Sequence, residues 1–161
     1  MKKFIVSLGT LFYCLFSYSQ NSLPILKLKS LDGTIVSTEN LSEKDEVLVI
    51  LLWATWCVPC INELDAIQEN YADWQEETNF KLIAISIDNA RTSSRVKPLV
   101  NGKEWDYEIL LDTNQDFKRA VNANTVPYVL IVKNNKIVYS HIGYTPGSEI
   151  DLYEKVKESA Q

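Results

Sequence analysis

Residues 47–68 read VLVILLWATWCVPCINELDAIQ. Val47 to Trp53 is an unbroken apolar run behind the polar break Lys44-Asp45-Glu46, the pattern of a strand buried on both faces. Beyond the two cysteines the period changes. Cys60, Leu64, Ile67, Tyr71 and Trp74 recur at spacings of four, three, four and three, one seam of an α-helix facing a core. Cys60 opens that seam and is expected to be buried. Cys57 falls at the helix N-terminus, where backbone N–H groups have no intrahelical partner, and is expected to be the exposed member of the pair.

A thiol attacks only as its thiolate. The partial positive charge of a helix N-terminus favours an anion there, and thiols so placed titrate one to several units below about 8.5. Cys57 is the group that benefits. Cys60, one turn onward, can reach the first sulfur and resolve a mixed disulfide. Pro59 sits in the first turn, where its missing N–H costs nothing. By itself a C-x-x-C pair leaves zinc binding, redox chemistry and coincidence all open. A structural staple is the weakest reading, because closing so short a loop removes little entropy from the unfolded chain.

Working outward, ILKLKSLDGTIVST (25–38) alternates apolar and polar residues around Asp32-Gly33 and predicts a hairpin. Strands are expected at FKLIAISID (80–88) and YEILLD (107–112). Between them ARTSSRVKPLVNG predicts a short helix ending at Asn101-Gly102, kinked or shortened by Pro98. Thr113 with Asp116 is placed for a capping box ahead of another helix. VPYVLIV and KIVYSHI flank Asn134-Asn135, an antiparallel hairpin with a two-residue turn. Ser148 with Asp151 can cap a last helix in which Ile150, Tyr153 and Val156 share a face. Strands alternating with helices, then a hairpin and a helix, mean an α/β sandwich around one mixed sheet.

The 161-residue chain is long enough for one domain with a real core. Its first residues are expected to stand apart from it. Lys2 and Lys3 precede the uncharged FIVSLGTLFYCLF (4–16), and Ser17-Tyr18-Ser19 offers small residues before Gln20, the layout of a secretory signal peptide over 1–19. As a helix that apolar stretch would rise about 20 Å, short of the roughly 30 Å hydrocarbon core, which favours cleavage over an uncleaved anchor. Cys14 belongs to the discarded peptide, since Phe12 and Tyr13 are bulky where lipoprotein processing needs small residues. Losing Lys2 and Lys3 and no acid takes the formal charge from −5 to −7. An acidic domain over 20–161 has no electrostatic footprint for nucleic acid. Cys57 and Cys60 are then its only cysteines, in an exported and oxidising setting.

Strand, then WATWCVPC, then amphipathic helix is the arrangement of a thioredoxin fold, and WATWCVPC resembles the active-site segment of thioredoxins. Residues 23–158 resemble the extracytoplasmic TlpA/ResA-type thiol–disulfide oxidoreductases. The N-terminal hairpin is similar to the extra strands of that group, and residues 89–111 to its central helix–strand insertion. Val126-Pro127 is similar to its cis-proline loop. An ordinary X–Pro bond is trans, so the cis expectation rests on that resemblance. A cis turn would free the Val126 backbone to pair with an extended substrate strand. The resemblance also implies roles for three groups of residues. Cys57 and Cys60 form the redox-active disulfide, Glu63 assists proton movement, and Trp56 lines the docking surface with Val126 and Pro127. Thioredoxins place a buried aspartate six residues before the first cysteine; here that position is Leu51, which leaves Glu63 as the nearest carboxyl.

The resemblance implies no cofactor, disulfide-bearing protein substrates such as apocytochrome c, a membrane electron donor of the DsbD type, a periplasmic or otherwise extracytoplasmic location and a monomer. The competing reading is an SCO-like copper chaperone using Cys57, Cys60 and His141, although SCO proteins space their cysteines by three residues. Structural zinc needs four ligands, and only these three precede carboxylates. A peroxiredoxin wants Thr-x-x-Cys, which Ala54-Thr55-Trp56-Cys57 does not supply. A redox-dead interaction domain has no support while both cysteines and the distal proline stand.

Overall fold

The computed structural model describes residues 22–161; the expected signal peptide lies outside them. Seven strands form one mixed sheet: β1 (Lys27–Ser30), β2 (Ile35–Ser37), β3 (Val47–Trp53), β4 (Lys81–Ser86), β5 (Glu108–Leu111), β6 (Tyr128–Lys133) and β7 (Lys136–Ile142). Their order across the sheet is β2-β1-β5-β4-β3-β6-β7. The parallel run β3-β4-β5 is flanked by antiparallel partners on both sides. Helices α1 (Val58–Gln68), α2 (Tyr71–Thr78), α3 (Val96–Lys103), α4 (Asp116–Ala120) and α5 (Ser148–Ala160) complete the thioredoxin-like sandwich.

All seven residues of β3 are buried, as its uninterrupted apolar run requires. Each fully buried Leu or Ile there contributes roughly 1.5–3 kcal/mol of transfer free energy. Val49 and Leu82 meet Ile67, Trp74 and Leu152, so α1, α2 and α5 share one face of the sheet. The N-terminal hairpin forms at Asp32-Gly33 and joins the sheet through β5, the strand of the central insertion. At the other edge Asn134 and Asn135 both take positive φ, 49° and 61°, the turn that matches the twist of a two-residue hairpin.

Four local expectations are corrected. The seam from Cys60 to Trp74 is buried throughout, yet it runs over two helices, because Asn70 turns its side-chain amide back onto the Ala66 carbonyl (3.1 Å) and interrupts the ladder. Pro98 lies in the first turn of α3, where no amide is needed, and the short helix runs past the expected Asn101-Gly102 end to Lys103. No capping box forms at Thr113 and Asp116. Instead the buried Asp112 carboxylate accepts from the Phe117 and Lys118 amides (3.2 and 2.9 Å). In α5, Ser148 bonds back to Thr145 rather than capping with Asp151, and Leu152 takes the buried place expected of Ile150, which is exposed.

The Asp112 cap gives a direct stability test. Asp112→Ala leaves two α4 amides without an acceptor and should lower the urea-unfolding free energy by about 1–3 kcal/mol. Thr113→Ala should change it by less than about 0.5 kcal/mol. Equal effects at the two positions would mean that the sequence-level cap, not Asp112, holds the helix.

Candidate active site

Strands β3 and β4 run parallel, so their C-terminal ends share one end of the sheet. β6 starts at that end, with Tyr128 opposite Leu52, and β7 finishes there, with Ile142 opposite Tyr128. The loop after β3, the start of β6 and the end of β7 are therefore neighbours. Chain topology alone delivers Cys57, Pro127 and His141 to one rim.

Asp88, just beyond β4, holds the loop that carries Cys57. Its carboxylate accepts from the Thr55 amide (2.8 Å), the Thr55 hydroxyl (2.7 Å) and the Ser86 hydroxyl (2.9 Å). The Ile87 amide donates to the Trp53 carbonyl (2.8 Å), and the Cys57 amide closes the turn onto Ala54 (3.0 Å). Asp88 is buried, and three donors satisfy it, which is what a buried carboxylate requires. Nothing in a single sequence marks this role; an acid at the end of an apolar strand is its only trace.

Cys57 is the N-cap of α1 and its Sγ accepts the Cys60 amide at 3.3 Å. Pro59 removes one amide from the first turn, and no acidic side chain lies there to compete for the helix N-terminus. Cys57 and Cys60 are joined by a disulfide with Cα atoms 5.3 Å apart. Cys60 is fully buried, as its place on the seam demanded. The expectation of an exposed Cys57 is corrected: it is only 5% exposed, its sulfur bonded to the buried Cys60 and accepting the Cys60 amide. The open groups are its neighbours, Trp56 at 59% and Val58 at 65%.

Across the rim, the Val126–Pro127 peptide is cis, and Pro127 is buried. The Pro127 carbonyl accepts the Gly143 amide (2.9 Å), tying the loop to the end of β7. Val126 and Tyr128 are half-buried, which leaves an apolar margin opposite Trp56 and Val58. Trp53 lies beneath, edge-on to Trp105 with ring centres 5.2 Å apart. Tyr71 and Trp74 are core residues, Trp74 stacking on Tyr153 at 4.3 Å.

Glu63 follows Cys60 by three residues on α1 and is 1% exposed. One carboxyl oxygen, Oε1, lies 3.6 Å from His141 Nε2 on β7. The other, Oε2, is buried without a partner, as is His141 Nδ1. Burial raises the Glu63 pKa above its ordinary value of 4.5, and His141 partly offsets that rise. Glu63 was legible in the sequence; its partner was not, since His141 reads as a lone histidine on an edge strand. Among the described residues no group of three or more His, Cys, Asp or Glu side chains is placed to hold a metal ion.

The raised Glu63 value has a defined consequence for stability. The fold accommodates the neutral acid, so this contribution is fully present below pH 4.5 and is lost as pH rises through the folded value. The urea midpoint of the disulfide form should therefore fall relative to Glu63→Gln as pH increases above 4.5. A gap that stays constant across that window would contradict the burial argument.

A family model described as the AhpC/TSA family matches residues 20–141. The thiol-disulfide oxidoreductase ResA of Oceanobacillus iheyensis is 27% identical over 117 residues, 71% of this chain and 59% of that protein. The sporulation thiol-disulfide oxidoreductase A of Bacillus subtilis is 23% identical, over 64% of this chain and 61% of its own length. The match thus spans about three fifths of either relative. A solution structure of a thioredoxin-like protein from Porphyromonas gingivalis is 50% identical, covers 86% of this chain and 91% of its own, and superimposes with a TM-score of 0.75. With its family model running from the N-terminal hairpin to His141, and with its fold shared by that neighbour, the chain belongs to the AhpC/TSA family and carries the family's thioredoxin-like domain.

Proposed function

We propose that the protein is an exported thiol–disulfide oxidoreductase working as a reductant. The observation that carries this reading is the Cys57–Cys60 disulfide at the start of α1, beneath an apolar rim formed by Trp56, Val58 and the cis Val126–Pro127 turn. The relatives named thiol-disulfide oxidoreductases support the same chemistry.

In the reduced protein Cys57 thiolate attacks one sulfur of a substrate disulfide and expels the other as a thiol. Cys60 then attacks the mixed disulfide at Cys57 Sγ, the substrate leaves fully reduced, and the Cys57–Cys60 bond closes. Two electrons pass from the dithiol to the substrate. Glu63 takes up the proton that Cys60 must lose, since it is the buried carboxyl one helical turn away. The Val126 backbone and the Trp56 ring hold the substrate strand. No cofactor enters the cycle, but the disulfide must be reduced again from outside. An exported protein needs a membrane dithiol donor of the DsbD type for that, and the disulfide of oxidised apocytochrome c is the substrate class that fits. Removal of residues 1–19 would leave a periplasmic monomer beginning at Gln20.

Two measurements test this. Cys60→Ala should trap a mixed disulfide on Cys57 that survives denaturation and releases its partner on reduction. Equilibration with glutathione should give a potential closer to the thioredoxin value of about −270 mV than to the DsbA value of about −120 mV. A value near −120 mV would reverse the direction of electron flow, and the absence of any reversible couple would end the reading.

A further inference from the structure

The Glu63–His141 contact joins two elements that the sequence keeps 78 positions apart. Register explains the meeting. His141 pairs with Val129 on β6, one position in from the Tyr128 end where the dithiol loop sits. The three groups are graded in exposure: Cys60 is at 0%, the Glu63 side chain at 1% and that of His141 at 22%.

The carboxyl presents two unequal oxygens. Oε1 faces an imidazole nitrogen at 3.6 Å, while Oε2 is enclosed and has no donor. An unpartnered carboxyl oxygen is costly in a protein interior and needs a reason. This is the disulfide form, in which Cys60 carries no proton to offer. On reduction Cys60 becomes a thiol on the same helical face, one turn from the vacant oxygen.

Resting on the proposed reductase cycle, we propose that His141 is a positioning residue for that chemistry: it holds one oxygen of the buried Glu63 carboxyl and leaves the other to accept the Cys60 proton. In the resolving step the Cys60 S–H bond breaks and the proton goes to Glu63. Cys60 Sγ bonds to Cys57 Sγ, and the Cys57–substrate S–S bond breaks with its electron pair leaving on the substrate sulfur. Burial raises the Glu63 pKa and His141 lowers it, so losing His141 would make the carboxylate less available to take that proton. The other charged groups are arranged against ionisation. Glu149, at the start of α5, raises Glu63 further, and the Tyr144 hydroxyl between β7 and α5 donates to Glu149 (2.9 Å) rather than to Glu63. On its own helix the nearest other carboxyl, Asp65, is engaged elsewhere, accepting from Trp105 Nε1 (3.0 Å) and pairing with Lys103. Among the described residues, His141 is the group that acts against that rise.

The test uses the reduced full-length domain loaded at Cys57 with thionitrobenzoate, whose release reports attack by Cys60. For His141→Asn the pH midpoint of release should rise by about one unit, a roughly tenfold slower release below both midpoints. The Glu63 side-chain carboxyl carbon, followed by NMR, should titrate upward by the same shift. Glu63→Gln should abolish that inflection, and the double variant should match Glu63→Gln alone. His141→Gln provides a second variant should His141→Asn fold poorly, and thermal unfolding monitors both. A release profile superimposable on wild type, or additive effects of the two substitutions, would overturn the proposal. The carboxyl titration needs no substrate, so it decides the His141 coupling even for a chain that exchanged no disulfides, a result that would contradict the reductase cycle instead.

Discussion

The loop between β3 and α1 has to leave a strand buried on both faces and start a helix within a few residues, and the Asp88 carboxylate makes that possible. A chain emerging from such a strand carries amides and hydroxyls that water cannot reach. Asp88 takes the Thr55 amide and hydroxyl and fastens itself through Ser86, so the loop is bound to β4 rather than left to solvent. From that anchorage the Cys57 amide can close on Ala54 and the Cys57 sulfur can cap α1. The position of the disulfide, the burial of Cys60 and the exposure of Trp56 all follow from where this turn is held.

Burial then sorts the chemistry. Cys57 and Cys60 are adjacent in space but differ in what surrounds them: one receives an amide at a helix N-terminus, the other lies on the core seam. The Glu63 carboxyl one turn on is enclosed too, and burial and the His141 imidazole act on its pKa in opposite directions. Trp56, Val58 and Ile142 stay open at the same end of the sheet, so the exposed apolar side chains are separate from the enclosed sulfur and carboxyl of Cys60 and Glu63.

Much of this was written in the sequence, because it depends on local pattern. The run Val47–Trp53, the switch to helical period at Cys60 and the Asn134-Asn135 turn each specify an element without reference to the rest of the chain. What escaped depends on contacts between distant segments. Asp112 and Asp88 act on residues that sequence reading assigns to other caps or to none. The break at Asn70 turns on one side-chain amide competing with the helix ladder, a balance too fine for periodicity to register. His141 gains its partner only after β7 folds back beside β6, and Cys57 loses its exposure only once the loop is pinned.

The account stands or falls on the inequality of the two thiols. Its most direct measurement is the rate of iodoacetamide alkylation of each cysteine in the reduced protein as a function of pH, with the modified site identified by peptide mapping. The prediction is that Cys57 reacts first, with a midpoint below the ordinary thiol value of about 8.5, while Cys60 stays protected until the domain unfolds. Equal and slow modification of both sulfurs, with midpoints near that ordinary value, would contradict it.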